Sequence, residues 1–369
     1  MKKILFLIHD LGQGGAEKVL VNLVNHLDRN KYDISVTALF GGGVNEQFLK
    51  PDIHFYTVFS KMIPGNTKWT KLFSPEQLYK FCIHDKYDII ISYLEGLSAR
   101  VVCGCKDINT KLISWIHVEQ HTKEKAAYSF RDFYEAQKCY SRFDRIVCVS
   151  QSVKEVFQTL FPQISKVDVL YNTVESDSIL QLSKERLSEV QLSNDTINLC
   201  GVGSLKASKG FDRLIRVHQR LRSDGIRIHT YLLGKGPDEK KLRSLAAELN
   251  VSDTITFLGY HTNPYKFIAA SDLFVCSSYQ EGFSTAATEA LIVGTPVCTV
   301  DVSGMKEMLG NSEYGLITQN SEQELYAGLK RILEDRNLLD HYRKQAIMRG
   351  KQFTTKSTVT ATENMLDSL

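Results

Sequence analysis

Asp272-Leu-Phe-Val-Cys-Ser-Ser-Tyr-Gln-Glu281-Gly-Phe-Ser-Thr-Ala-Ala-Thr-Glu289-Ala-Leu-Ile-Val-Gly-Thr-Pro-Val-Cys-Thr-Val-Asp301 reads as strand, turn, helix and strand in succession. Leu273–Cys276 is a short apolar run, and Glu281-Gly282 supplies a turn. A small-residue helix is expected from about Thr285 to Val293, stopped by Gly294, and Pro296 leads into the next strand. A strand returning through a helix to another strand belongs to a parallel sheet, and such sheets seat ligands at the C-terminal ends of their strands. Glu281 stands at such an end. Glu289 lies in the second helical turn, roughly 7 Å along the axis from Ser284 at about 1.5 Å per residue. The two carboxylates can therefore edge one crevice. Amides near Phe283, Ser284 and Thr285 have no partner within the helix and form a ready anion site. Glu289 is surrounded in sequence by Ala286, Ala287, Ala290, Leu291 and Ile292, so it is expected to be buried. A buried carboxylate is costly unless something satisfies it, which points to a ligand rather than a solvated helix face.

The same alternation extends in both directions. Ile4–Ile8 reads as a buried strand running into Gly12-Gln13-Gly14-Gly15-Ala16-Glu17-Lys18, followed by a helix with Val19, Leu20, Leu23, Val24 and Leu27 on one face. The turn lacks the G-x-G-x-x-G dinucleotide fingerprint. Further strands are expected at 33–39, 53–58, 88–93, 111–116, 144–149 and 167–171, the fourth ending in Trp115-Ile116-His117. A second series starts at Ile197–Leu205 and continues through Tyr231–Gly236, Thr256–Tyr260, the 272–301 stretch and Tyr314–Ile317. Helices are expected near 321–334 and 337–352, then a tail from about 355. The polar stretch 173–195, with a helix near 178–190, reads as the connection. The expected architecture is α/β, with two Rossmann-like doubly wound parallel-sheet domains. The first domain is residues 1–175, the second 176–355, and 356–369 a tail whose return to the first domain is left open.

A chain of 369 residues is long enough for two cores, and 43% hydrophobic with 24% charged residues is ordinary for a globular protein. A net charge of +3 gives no case for nucleic acid, and the excess sits in residues 1–175, with 22 Lys+Arg against 19 Asp+Glu. Of 8 cysteines, Cys148, Cys200, Cys276 and Cys298 fall in apolar strands, where a thiol acts as a small hydrophobe; none has zinc-type spacing. A reducing cytoplasm is the expected setting. Met1-Lys2-Lys3 precedes an apolar run that His9 and Asp10 end too early for a signal peptide, and no run of about 18 apolar residues is present.

Glu281-x7-Glu289, with Ala290-Leu291 and Gly294-Thr295-Pro296-Val297, resembles the donor-site signature of the retaining glycosyltransferases of family 4, the group 1 enzymes of bacterial surface polysaccharide synthesis. The resemblance covers almost the whole chain. It implies the two-domain GT-B fold, a nucleotide-sugar donor bound in the cleft, and no cofactor or bound metal. By the same resemblance Glu281 hydrogen-bonds the transferred sugar, Glu289 holds the ribose hydroxyls, and Gly282, Phe283, Ser284 and Thr285 meet the diphosphate. Gly14 and Gly15 match the family's first loop, which faces the diphosphate, and His117 matches its cleft histidine on the donor sugar. Gly203-Ser204 and Lys209-Gly210 match its diphosphate-binding stretch, and Tyr260 lies where relatives seat the nucleobase. A lysine before a helix opposes the helix dipole, a conflict that an anionic ligand at Lys209 resolves. Two departures stand out: Ser204 replaces a frequent arginine, and Thr173-Val174-Glu175 follows Asn172 where Gly-Val-Asp is usual.

The expected activity is transfer of a hexose from a UDP-sugar to a glycan or lipid-carried acceptor, with Glu281, His117 and Lys209 as the catalytic set. Two alternatives share the fold: a sugar-nucleotide epimerase, against which the Glu281/Glu289 pair argues, and a catalytically silent partner subunit, which Ser204 keeps open. Residues 58–73 interleave Lys61, Lys68 and Lys71 with Phe59, Met62, Ile63, Trp69, Leu72 and Phe73 and contain no acid. With Pro64-Gly65-Asn66 breaking any helix, they read as an exposed loop that meets anionic lipid at the inner face of the membrane. Residues 123–145 are a second basic and aromatic stretch, read equally well as core cover.

Overall fold

A computed structural model describes residues 1–188, 190, 192 and 195–369. It divides into two compact units, residues 1–173 with 356–369, and residues 174–355.

The first unit is built on β1 (Lys2–Ile8), β2 (Tyr32–Phe40), β3 (His54–Phe59), β4 (Ile89–Ser92), β5 (Lys111–Ile116), β6 (Arg145–Cys148) and β7 (Val167–Val169). All pair in parallel in the order β3-β2-β1-β4-β5-β6-β7. The central strands are buried on both faces, which is why β1 and β4 read as unbroken apolar runs rather than alternating ones. The helices are α1 (Gly15–His26), α2 (Asn66–Trp69), α3 (Pro75–Cys82), α4 (Leu97–Val102), α5 (Lys123–Ala126), α6 (Phe133–Tyr140) and α7 (Gln151–Leu160). Ser74, Asp132 and Ser150 cap α3, α6 and α7 through their side chains, giving each a defined start.

The second unit carries β8 (Ile197–Val202), β9 (Ile228–Leu233), β10 (Ile255–Gly259), β11 (Leu273–Cys276), β12 (Val297–Val300) and β13 (Leu316–Thr318), again all parallel, ordered β10-β9-β8-β11-β12-β13. Its helices are α8 (Ser176–Leu182), α9 (Phe211–Ser223), α10 (Glu239–Glu248), α11 (Tyr265–Ala270), α12 (Thr285–Ile292), α13 (Met305–Leu309), α14 (Glu322–Glu334) and α15 (Arg336–Gly350). In both sheets the order reverses beside the first strand of the unit, the topological switch point at which such sheets hold ligands.

Four sequence expectations change. The helix expected at 178–190 is only α8, ending where Lys184-Glu185-Arg186 offers nothing apolar to bury. The last residues expected in that helix and linker, 189, 191, 193 and 194, lie outside the described residues. Residues expected as a tail form a last helix, α16 (Thr355–Asp367); 356–369 group with the first unit, the return that had been left open. There Lys2 Nζ donates to Leu366 O, and Asp367 pairs with Lys31 and accepts from the Tyr32 hydroxyl. The 58–73 loop contains α2 and a 3-10 turn at Thr70–Leu72, because the chain restarts a helix directly after Gly65. Phe59 and Trp69 face each other edge-on and are partly buried, so they do not serve as free anchors. Finally, Cys103 and Cys139 form a disulfide across 36 positions, where a set of free thiols was expected. Cys148, Cys200, Cys276 and Cys298 are buried as free thiols.

Candidate functional site

In the second unit the site grows from two strand ends side by side, β8 and β11. The chain leaves β8 through Gly203-Ser204-Leu205 and a 3-10 turn at Ala207–Lys209, then turns into α9 at Gly210. Gly210 has φ +63, and a Cβ there would lie 1.9 Å from the Ser277 carbonyl oxygen. Only glycine lets the loop carrying Lys209 lie flat against the one leaving β11. Ser277 Oγ donates to Lys209 O at 3.2 Å, and the Tyr279 amide donates to Ser208 O at 2.8 Å, which sews the two loops together.

That contact brings two of the expected residues into one ion pair. Lys209 Nζ lies 2.7 Å from Glu281 Oε1, and the same oxygen accepts from Ser278 Oγ at 2.5 Å. Burial alone would push the Lys209 ammonium down, but the charge and hydrogen bond of Glu281 outweigh it and hold it above its ordinary value. Lys209, Ser278, Glu281 and Ser284 border one small cavity of about 10 Å³. Arg213, buried on α9, fixes the loop from beneath. Its Nε donates to Ser277 O at 2.6 Å, its Nη2 to Ser278 O at 2.5 Å and its Nη1 to Asn320 Oδ1 at 2.8 Å.

Ser284 begins α12 as its cap, accepting from the Ala287 amide, and Phe283 is buried behind it. Glu289 is only 4% exposed. The helix around it is small-sided because α15 presses against it: a Cβ on Gly350 would lie 2.1 Å from Leu291 O. Gly203 and Ser204 form the half-buried turn after β8, and Tyr260 follows β10 with its ring partly exposed.

Three of the expected residues lie in the first unit. Gly14 precedes α1 and Gly15 opens it, beyond the C-terminal end of β1. His117 follows β5, two strands away, and between them Glu95 follows β4. Glu95 Oε2 accepts from the His117 amide at 2.8 Å. Burial raises the Glu95 carboxyl above the usual range, against the lowering effect of that hydrogen bond. His117 is buried, and its Nε2 has no hydrogen-bond partner among the described residues. Burial brings its pKa down to about 3, although a hydrogen bond with the Tyr93 backbone works the other way. The ring is therefore neutral at any working pH, a hydrogen-bonding group and not a cation. Glu95, Ser278 and Arg213 were not singled out in the sequence. Glu95 carried the same signal as His117, a polar residue just past a parallel strand.

His218 on α9 is likewise buried, between Thr230 and Thr254, with its pKa lowered to about 3 by burial. Both imidazoles titrate near 6.5 when unfolded. Below that value the unfolded chain takes up protons that the folded one refuses, so stability falls as pH drops from about 6.5 towards 3. Each histidine contributes up to about 1.4 kcal/mol per pH unit in that window. Thermal midpoints measured at pH 7, 6 and 5 should decline accordingly; a flat profile would mean that these rings are protonated in the fold.

Comparison with known proteins bears on this geometry. The family described as Glycosyltransferase Family 4 matches residues 13–178. The family described as Glycosyl transferases group 1 matches residues 183–349. The N-acetylgalactosamine-N,N'-diacetylbacillosaminyl-diphospho-undecaprenol 4-alpha-N-acetylgalactosaminyltransferase of Campylobacter jejuni is 28% identical over 96% of each chain. A lipopolysaccharide core biosynthesis glycosyltransferase of Rhizobium meliloti is 23% identical, over 89% of this chain and 87% of its own. Among solved structures, Anabaena HepE in complex with UDP and glucose aligns with a TM-score of 0.80 at 20% identity over 100% of both chains. WaaG, a glycosyltransferase involved in lipopolysaccharide biosynthesis, aligns at 0.71 with 15% identity, over 98% of this chain and 99% of its own. Two parallel α/β units of this kind are the GT-B fold of glycosyltransferases. The chain belongs to glycosyltransferase family 4, the group 1 glycosyltransferases.

Proposed function

We propose that the protein transfers a sugar from a UDP-sugar to a glycan carried on a lipid diphosphate, with retention at the anomeric carbon. The observation that carries this reading is the cluster of Lys209, Ser278 and Glu281 at the ends of β8 and β11, beside the start of α12. A cation, a carboxylate and helix-start amides within one loop junction suit a sugar diphosphate. Support for the donor comes from the UDP and glucose held by Anabaena HepE, and support for the acceptor from the diphospho-undecaprenol substrate in the name of the Campylobacter relative.

In this reading the donor diphosphate takes Lys209 from Glu281, with Gly203, Ser204, Gly282, Phe283, Ser284 and Thr285 around it. Glu281 is then released to the sugar hydroxyls, Glu289 holds the ribose and Tyr260 the base. Gly14, Gly15 and His117, in the first unit, keep the roles that the family resemblance implies, His117 as a neutral hydrogen-bonding group. The bond from C1 to the phosphate oxygen breaks, the acceptor oxygen joins C1 on the same face, and the acceptor proton passes to the departing phosphate. Negative charge growing on the leaving UDP is met by Lys209 and the amides. We place the reaction at the cytoplasmic face of a membrane, where 58–73 would touch anionic lipid. Among the described residues no helix is long and apolar enough to cross a membrane.

A panel of UDP-sugars tests the reading: UDP release with one of them, and a product whose anomeric signal matches the donor's, are expected. An epimerised donor or an inverted product would refute it. Because charge on the leaving group is assigned to Lys209 and the amides, activity should survive excess chelator within about twofold. Complete loss, restored by magnesium or manganese, would overturn that assignment.

A further inference from the structure

The two basic, aromatic segments of the first unit, separated by some fifty residues in sequence, meet at one concavity. Lys68 and Lys71 line one side and Lys123, Tyr128 and Arg131 the other, around a cavity of about 450 Å³. The wall that carries Lys68 and Lys71 is held with unusual expense. Arg100 is fully buried, and its Nη1 donates to Thr70 O at 2.8 Å and its Nη2 to Phe73 O at 2.7 Å. Arg131 Nε donates to Lys71 O at 2.8 Å and Nη2 to Leu72 O at 3.3 Å. Carbonyls 70 to 73 are thus taken up in succession by two guanidiniums. Glu135 binds both arginines together, pairing with Arg100 Nε at 3.0 Å and accepting from the Arg131 amide at 2.7 Å. Burying a guanidinium requires that its donors be satisfied, and here two of the four Arg100 hydrogen bonds fix a solvent-facing turn while the other two go to Glu135.

Charge at this cavity is not balanced. Among the described residues, Lys68, Lys71 and Lys123 have no acidic partner within ion-pair distance; Lys123 Nζ sits 5.5 Å from the centre of the Phe133 ring. Two carboxylates also border the cavity, and both are engaged with the backbone. Asp132 Oδ1 accepts from the Glu135 amide at 2.7 Å as the cap of α6. Glu124 is held by its own amide and the Thr122 hydroxyl, which lower its pKa with a smaller contribution from the charge of Lys123. Beside the cations, Leu72 is 78% exposed and Tyr128 69%, an apolar ledge and an exposed ring. Within the second stretch Phe130, Tyr140 and Phe143 are core, so only its outer aromatics remain for a partner.

We propose that this cavity seats the diphosphate joining the acceptor glycan to its lipid, an inference that rests on the acceptor reading above. Three lysines, two of them on a turn fixed by Arg100 and Arg131, suit a doubly charged diphosphate better than a lone phosphate monoester or a neutral glycan. The Tyr128 ring offers a face to the first sugar, and Leu72 meets the apolar chain at the membrane boundary. The carrier would then be recognised by its diphosphate in the first unit, independently of Lys209 and Glu281.

The test compares phosphatidylcholine vesicles containing either phosphatidylserine or a polyprenyl diphosphate at matched surface charge. Wild-type protein should bind the diphosphate vesicles about tenfold more tightly. The double variant Lys68→Ser/Lys123→Ser should lose that preference and bind the two vesicles alike, with its UDP affinity unchanged. Its KM for a lipid-diphosphate acceptor should rise about tenfold with kcat unchanged. Equal wild-type binding to the two vesicles refutes the cavity while leaving membrane contact standing. If wild type ignores both vesicles, amine labelling of Lys68 and Lys123 decides, with UDP saturating the donor site and inorganic pyrophosphate added. Protection would mean a free anion in place of the lipid-borne one, and no protection would mean no anion site; either overturns the proposal.

Discussion

Glu281→Gln should lower turnover on the order of 10³-fold while leaving UDP affinity within about threefold. Glutamine keeps the shape of the side chain and an oxygen for Ser278, so the loop fixed by Arg213 should stay in place. What is lost is charge on the group assigned to the sugar. UDP alone carries no sugar, so its binding should hardly register the change. Calorimetry with UDP and single-turnover kinetics with the cognate donor separate the two quantities. Turnover above a tenth of the wild-type value would remove Glu281 from the sugar. Weakened UDP binding by itself would move Glu281 to the diphosphate.

Lys209→Ala should cost on the order of 100-fold in kcat and weaken UDP binding as well, because its partner is the leaving group. The ion pair at 2.7 Å gives this substitution a second consequence. Glu281 loses its cation, so the single variant reads both effects together. A cycle with Lys209→Ala, Glu281→Gln and the double variant isolates them. If the two residues act on one bound donor, the double variant should be scarcely worse than Glu281→Gln. Full additivity would mean that they serve separate steps.

The stretch 272–301 could be read closely because each boundary has its own chemical cause: an apolar strand, a capping Ser284, an alanine-rich helix and Gly294. Burial of Glu289 followed from its neighbours for the same reason. The pairing of Lys209 with Glu281 did not, since it depends on the approach of two loops at Gly210, which no local pattern records. Residues 66–72 misled because Pro64-Gly65 signals a break, and the helical turn that follows is held by Arg100 and Arg131, distant in sequence. The Cys103–Cys139 disulfide was equally out of reach, as it rests on the packing of α4 and α6. Glu95 was legible in the same way as Glu281, an acid just past a parallel strand, but its bond to the amide at the exit of β5 depends on strands apart in sequence.

The return of α16 to β1 and β2 gives the two units different histories on the ribosome. The second unit, residues 174–355, is contiguous and can close its core as soon as it has emerged. The first has its whole sheet early, yet must wait for residues 356–369 to supply the partners of Lys2, Lys31 and Tyr32. At about 5–20 residues per second, that interval is roughly ten to forty seconds. The half of the protein synthesised first is therefore the half completed last, and its buried surface against α16 is what a nascent-chain chaperone would meet.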